Sequence, residues 1–440
     1  MYEHDSPRTR LEQVLAQRHM TVDDFRLSYE RVCGESLSER QAYRWVAGVL
    51  RSLPYPKAQA GLEQLFGEPA PRLLGPPHGV VSPLARSSDR RPGAVRSGLS
   101  REDWQSLLLA RSAERARAFL SIAEERNVGT ESVEQLSDDV RRLARAYPTE
   151  PLETLLQDIV EVQSRAFGFL EGRQKPGLTR DLYLMAGVAS GLMAKASHDL
   201  GAPHEALTHA RAAYTCADNA GHDGLRAWTR GLQSLITYWS GRLEESLRYA
   251  QRASDAASRS NGTSAVWLIS NEARVLAALG RVSEAHHAID RATAARDGVH
   301  SDELDELGGL CTFNRPRQLY YAADAMRWCG QIEAETTQRL ALEALDAYES
   351  APADDHAFGD EAGTRCALAA ARVEQGELDG AAEALTQVLT LPVSKRIQGI
   401  VSSAEFVHQS LRRIDDTSQV AAELTEALHD FGSTRLALPS

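Results

Sequence analysis

Apolar residues recur every three or four positions along most of this chain. Leu225, Trp228, Leu232, Leu235 and Trp239 make one such stripe, and Leu243, Leu247, Ala250 and Ala257 make the next. That spacing places side chains on a single helix face, so both segments are predicted as amphipathic helices. Leu200-Gly201, Ser240-Gly241, Leu279-Gly280, Cys329-Gly330 and Gln375-Gly376 interrupt the pattern at intervals of 40, 39, 50 and 46 residues. Glycine is the residue that most easily takes the left-handed conformation closing a helix, so each is read as a helix stop inside a repeated helical hairpin. One hairpin cannot bury its own stripe, and from about residue 179 onward consecutive pairs are expected to stack.

Before the repeats, helices are predicted over residues 102–125, which open on Glu102-Asp103-Trp104, over 131–146, and over 150–171 with Pro151 at the start. Residues 68–101 interrupt everything. Pro69, Pro71, Pro76, Pro77, Pro83 and Pro92 alternate there with Gly and Ser, which predicts an irregular tether. The expected organisation is therefore a small domain over 1–67, a linker over 68–101 and a helical repeat domain over 102–440. The fold class is all-α.

The small domain reads as four helices. Residues 8–18 turn Leu11, Val14 and Leu15 inward. Thr21 caps a second helix beginning Val22-Asp23-Asp24 and broken at Gly34. Ser36 or Ser38 caps a third, Glu39 to Val46, which Gly48 ends. Pro54 and Pro56 precede a fourth carrying Leu62, Leu65 and Phe66.

Composition narrows the function classes. The net charge of −12 argues against a surface that coats nucleic acid throughout. Residues 1–60 are nearly neutral, with nine Lys/Arg against eight Asp/Glu, and Arg86, Arg90, Arg91, Arg96 and Arg101 face mainly Asp89 in the stretch behind. DNA contact is thus compatible with the amino-terminal end alone. Met1 to Asp5 is polar with no apolar stretch behind it, and no run is long enough to span a bilayer, so a cytoplasmic location without membrane contact is expected. The scattered Cys33, Cys216, Cys311, Cys329 and Cys366 are expected to be reduced and mostly buried.

Enzyme signals are weak. No phosphate-binding glycine loop occurs, and His204 and His209 stand five apart, which takes them off a common helix face. His286 and His287 are adjacent and diverge. No cofactor, no metal and no catalytic activity are expected.

Ser38, Gln41, Trp45, Gly48 and Pro54 give the small domain its character: a polar start, a late tryptophan, a glycine stop and then proline. In that order of features it resembles the phage-repressor-like (Xre-type) helix-turn-helix family. The resemblance implies that helix 39–47 enters a DNA major groove, with Arg40 and Arg44 directed at guanine and Gln41 at adenine. Tyr43 joins that helix's DNA-facing set, while Thr21, Ser38, Arg51 and Lys57 are implied as phosphate contacts. Tyr29 to Leu37 is longer than the compact turn of typical repressors, so a protein-contact role for this domain is the alternative.

The helical pairs resemble tetratricopeptide repeats with degenerate signatures. The strings Ala220 to Trp228 and Asp181 to Gly187 are similar to a group of actinobacterial regulators joining an Xre-type domain to such repeats, associated with development and secondary metabolism. The layout is also similar to the peptide-sensing regulators of Gram-positive bacteria. The resemblance implies an operator-binding homodimer whose repeats sense a peptide or small molecule; the alternative is an interaction scaffold with a vestigial helix-turn-helix. Candidate ligand contacts on the first helices of the pairs are Arg230, Gln233, Tyr238, Asn271, Arg274, Arg317 and Tyr321. Trp228, Trp239 and Trp267 are expected in the core.

Overall fold

The computed structural model describes residues 8–18, 20–33, 37–48, 54, 56–75, 109, 112–113, 116, 128–172, 174–252, 258–414, 418–434 and 436. Among them the protein is helical throughout, with no strand beyond an isolated bridge between Val128 and Gln174. Contacts divide the chain into two compact units, Met1–Gly98 and Leu99–Ser440.

The first unit is built from α1 (Arg10–Gln17), α2 (Val22–Cys33), α3 (Glu39–Val46), α4 (Pro56–Phe66) and the single turn α5 (Ala70–Leu73). Leu11, Val14 and Leu15 line the inner face of α1, and Phe25, Tyr29, Ala42, Trp45, Leu62 and Phe66 complete one buried cluster. The helices are stopped and started as their residues dictate. Thr21 Oγ1 accepts from the amide of Asp24 while donating to its carboxylate, a reciprocal cap that holds the Asp24 carboxyl below its usual range.

Two expectations change here. The second helix runs to Cys33, up to the break expected at Gly34, with Phe25 and Tyr29 one turn apart and both packed inward, so it takes in the first part of the Tyr29 to Leu37 segment. Most of the supposed long turn is therefore helix. The tether likewise does not begin at residue 68. Pro71 falls in the first turn of α5, where a missing N–H costs nothing, so it starts a helix instead of preventing one. Leu73 is fully buried, Arg10 donates its amide to the Gly75 carbonyl, and its guanidinium grips Glu68 at 2.6 and 3.2 Å. The rest of the expected linker, and the predicted helix over 102–125 apart from isolated positions, lie outside the described residues.

The second unit opens with α6 (Thr130–Ala146) and α7 (Leu152–Glu171). It continues in pairs: α8 (Pro176–Asp199) with α9 (Pro203–Ala220), α10 (Asp223–Trp239) with α11 (Leu243–Arg252), α12 (Thr263–Ala278) with α13 (Val282–Asp297), α14 (Arg315–Met326) with α15 (Ala334–Glu349), α16 (Phe358–Glu374) with α17 (Leu378–Leu389), and α18 (Gln398–Leu411) with α19 (Gln419–Ser433). Each glycine predicted as a stop has a positive φ, between 56° at Gly330 and 77° at Gly376. At Gly201 the amide bonds back to His198 and that of Ala202 to Ser197, the doubled closure typical of a left-handed terminus. The longest interval, 50 residues, is explained by two 3-10 turns, Asp305–Leu307 and Gly309–Cys311, set between α13 and α14.

First helices pack on first helices: α8 on α10, α10 on α12, and so on to α18, which returns to touch α8. These six make a closed inner ring, with the second helix of each pair outside. The inner helices are accordingly buried on nearly every side, and α10 exposes almost nothing between Gly224 and Tyr238. Close approach within the ring relies on small residues. A Cβ placed at Gly231 would lie 2.7 Å from the Trp267 ring. Trp228 and Trp267 are buried as expected, whereas Trp239 is only partly covered.

No helix among the described residues is long and apolar enough to cross a membrane. Cys216, Cys311 and Cys366 are buried and free, and burial pushes the Cys366 thiol up to about 12.

Candidate functional site

In the first unit the helix proposed from sequence for DNA contact, α3, has two sharply different sides. Ala42, Trp45 and Val46 face the core, with Trp45 edge-on to Tyr29 at 5.6 Å. Thr9 ties the helix end by donating its hydroxyl to the Val46 carbonyl at 2.7 Å. Gln41, Tyr43 and Arg44 point outward, and Tyr43 is 54% exposed, unusual for a tyrosine in so small a unit. At the other end Ser38 caps the helix, its hydroxyl accepting from the Gln41 amide at 3.3 Å. Ser38, and not Ser36, is therefore the described cap.

Thr21 and Lys57 are exposed at the starts of α2 and α4. Those two, Ser38, Gln41, Tyr43 and Arg44 are thus all outward-facing. The Arg40 side chain and all of Arg51 lie outside the described residues.

In the second unit the inner ring, with residues from Tyr147 to Leu155, lines a partly open cavity of about 80 Å³. Its walls are mostly apolar, with Leu232, Leu235, Leu310, Ile397 and Ile400 among them. Polar groups converge from several helices. Lys195 donates to both Asp199 oxygens at 2.6 Å, and Tyr147 donates to the same carboxylate at 2.8 Å. Arg317 donates to Asp360 at 2.7 Å and to the Thr312 carbonyl at 2.7 Å. His198 is sealed in beside them, and burial lowers it to about 4 against the weaker pull of Asp199.

The most unusual group is Arg274, 1% exposed. Its Nε donates to Asp324 Oδ2 at 2.6 Å, and its guanidinium lies 4.3 Å from the Tyr321 ring centre and 4.5 Å from that of Tyr238. Burial is the largest single influence and works against its charge, but Asp324 together with Tyr238, Tyr321 and Tyr320 outweighs it, so Arg274 holds its proton more firmly than free arginine. Asp324 also faces Arg327, whose Nε stands 2.9 Å from Oδ1. Arg274 Nη2 has no hydrogen-bond partner.

Of the sequence-derived ligand candidates, Arg274, Arg317 and Tyr321 meet at this cavity. Tyr238 lines an adjoining cleft of about 560 Å³, where Trp328 donates to its hydroxyl at 2.6 Å; Trp239 borders both spaces. The remaining three are engaged elsewhere in packing. Arg230 stacks 3.7 Å from the Tyr214 centroid and donates to Gln233, which reaches the Ala210 carbonyl at 3.5 Å. Asn271 donates back along its own helix to Trp267. Six of the seven are buried, so they do not present an open concave surface for an extended peptide.

Sequence reasoning passed over Lys195, Asp199, Asp324 and Arg327. The available signal was a lone charge in an apolar run: Lys195 within Leu192 to Ala196, and Asp324 within Tyr320 to Met326. Such a residue at a core position must be paired.

No protein-family model matches the chain, and no curated protein matches it.

Proposed function

We propose that the protein is a DNA-binding transcriptional regulator, with the first unit as an Xre-type helix-turn-helix domain and the second as a tetratricopeptide-like sensor. The observation that carries this reading is the two-sidedness of α3. Ala42, Trp45 and Val46 fix the helix in the core while Gln41, Tyr43 and Arg44 are exposed on the outer face. A reading helix needs that division: a rigid back and a row of donors and acceptors able to reach base edges. The exposed Thr21 and Ser38, at helix starts, suit phosphate contact because helix N-termini carry partial positive charge.

The second unit is the sensing part in this reading. Its cavity, with a mostly apolar wall and a few convergent charges, has the composition of a small-molecule site. A ligand there changes how the inner helices pack and so biases the conformation or dimer geometry through which half-sites are read. The natural setting is a cytoplasmic homodimer, with development or secondary metabolism as the controlled processes.

The test is selection from a random duplex pool with the purified full chain, at stated salt because phosphate contacts are salt-sensitive. An enriched inverted repeat supports the reading. A flat pool, with Arg44→Ala indistinguishable from the parent, overturns it in favour of an interaction scaffold.

A further inference from the structure

Two fully buried guanidiniums share a single buried carboxylate. Arg274 and Arg327 are 1% and 4% exposed, and Asp324 between them is 0% exposed. Of the other charges around the cavity, Lys195 pairs with Asp199 and Arg317 with Asp360, His198 is neutral at pH 7, and Glu150 is exposed to solvent at the rim. Apart from the exposed Glu150, the groups set into the ring therefore carry one positive charge in excess, because Arg274 and Arg327 share Asp324. Aromatic faces on Arg274 offset part of that cost, but buried charge is best matched by an opposite charge.

We infer that the inner cavity binds a small monocarboxylate, its carboxylate paired with Arg274 and its hydrocarbon body against the leucine and isoleucine walls. Three independent features meet here: the excess charge, the partnerless Nη2 of Arg274, and an apolar space that Arg274 lines. A planar guanidinium with one edge on Asp324 and a free nitrogen is suited to a second carboxylate. Size limits the guest. A cavity of about 80 Å³ favours a small guest, so the short straight-chain acids from propanoate to hexanoate are the natural probes.

This deepens the sensor reading given above and rests on it for biological meaning. Its test does not use DNA, so the two fail separately. Calorimetric titration of the full chain with propanoate, butanoate, pentanoate and hexanoate, each against its primary amide, reads the preference for charge directly. Saturable binding is expected for at least one acid, with the matching amide weaker by about tenfold or more, since a charged hydrogen bond exceeds a neutral one by that much. Arg274→Gln is expected to abolish the acid-over-amide preference while leaving Asp324 paired with Arg327. Equal binding of acid and amide by the parent protein, or no binding by any acid, overturns the inference without reference to any variant. A preference that survives in Arg274→Gln also overturns it, by moving the carboxylate elsewhere.

Discussion

Trp228 on α10 lies so close over Gly191 on α8 that a Cβ at the glycine would stand 2.0 Å from its ring. The ring has nowhere to go: Trp228 is 2% exposed, and its Nε1 donates to the Leu310 carbonyl at 3.3 Å. Gly191→Ala is therefore expected to destabilise the second unit by about 1–3 kcal/mol through overpacking, despite alanine's better helix propensity. Urea unfolding checks this. Combining it with Trp228→Leu should recover part of the loss, because the clash and the large ring are then removed together. Additive effects would show that the contact does not control the packing of α8 on α10.

The cap and the anchor of α3 make separable contributions. Ser38→Ala removes the acceptor for the Gln41 amide, and about 1 kcal/mol is expected to be lost from the first unit. Trp45→Ala removes a ring packed edge-on to Tyr29, with an expected loss of about 3–5 kcal/mol. Near-ultraviolet circular dichroism during denaturation separates these outcomes, and equal losses from the two variants would contradict the packing described for α3.

If α3 reads DNA, its outer residues should separate into two kinds. Gln41→Ala and Arg44→Ala are each expected to reduce discrimination at one base position by about 1–3 kcal/mol. Lys57→Ala should weaken binding evenly across sequences and lower the salt slope by about one counterion. Competition binding at two salt concentrations measures both. Uniform weakening by all three variants would mean that the helix only touches phosphate.

The helical pairs were legible because their stops are local: Gly201 and Gly376 each end an apolar stripe, and each takes a positive φ. The ring was not, because the return of α18 to α8 depends on contacts more than a hundred and fifty residues apart, which no periodicity encodes. The same distinction runs through the candidate residues. Arg274, Arg317 and Tyr321 were visible as polar positions on first helices, but their convergence on one cavity follows only from closure. Asp324 was hidden among alanines, and without it the shared carboxylate between Arg274 and Arg327 could not be anticipated. Pro71 misled for a local reason, since proline both breaks helices and begins them.

His198 gives the second unit a stability that depends on pH. Burial lowers it to about 4, whereas the unfolded chain should titrate near 6.5. Between those values the unfolded state binds more protons, so stability rises with pH across that window. The contribution is fully present above about 6.5 and is lost as the pH falls towards about 4, below which both states are protonated. From pH 7 to pH 5 the loss attributable to this imidazole is about 2 kcal/mol. Urea titrations of the parent and of His198→Gln at the two pH values measure it, because other carboxylates and histidines contribute equally to both proteins. The difference in stability between parent and variant should therefore shift by that amount. A difference that stays constant with pH would mean that His198 takes up its proton in place, which is incompatible with an imidazole sealed beside Lys195 and Arg274.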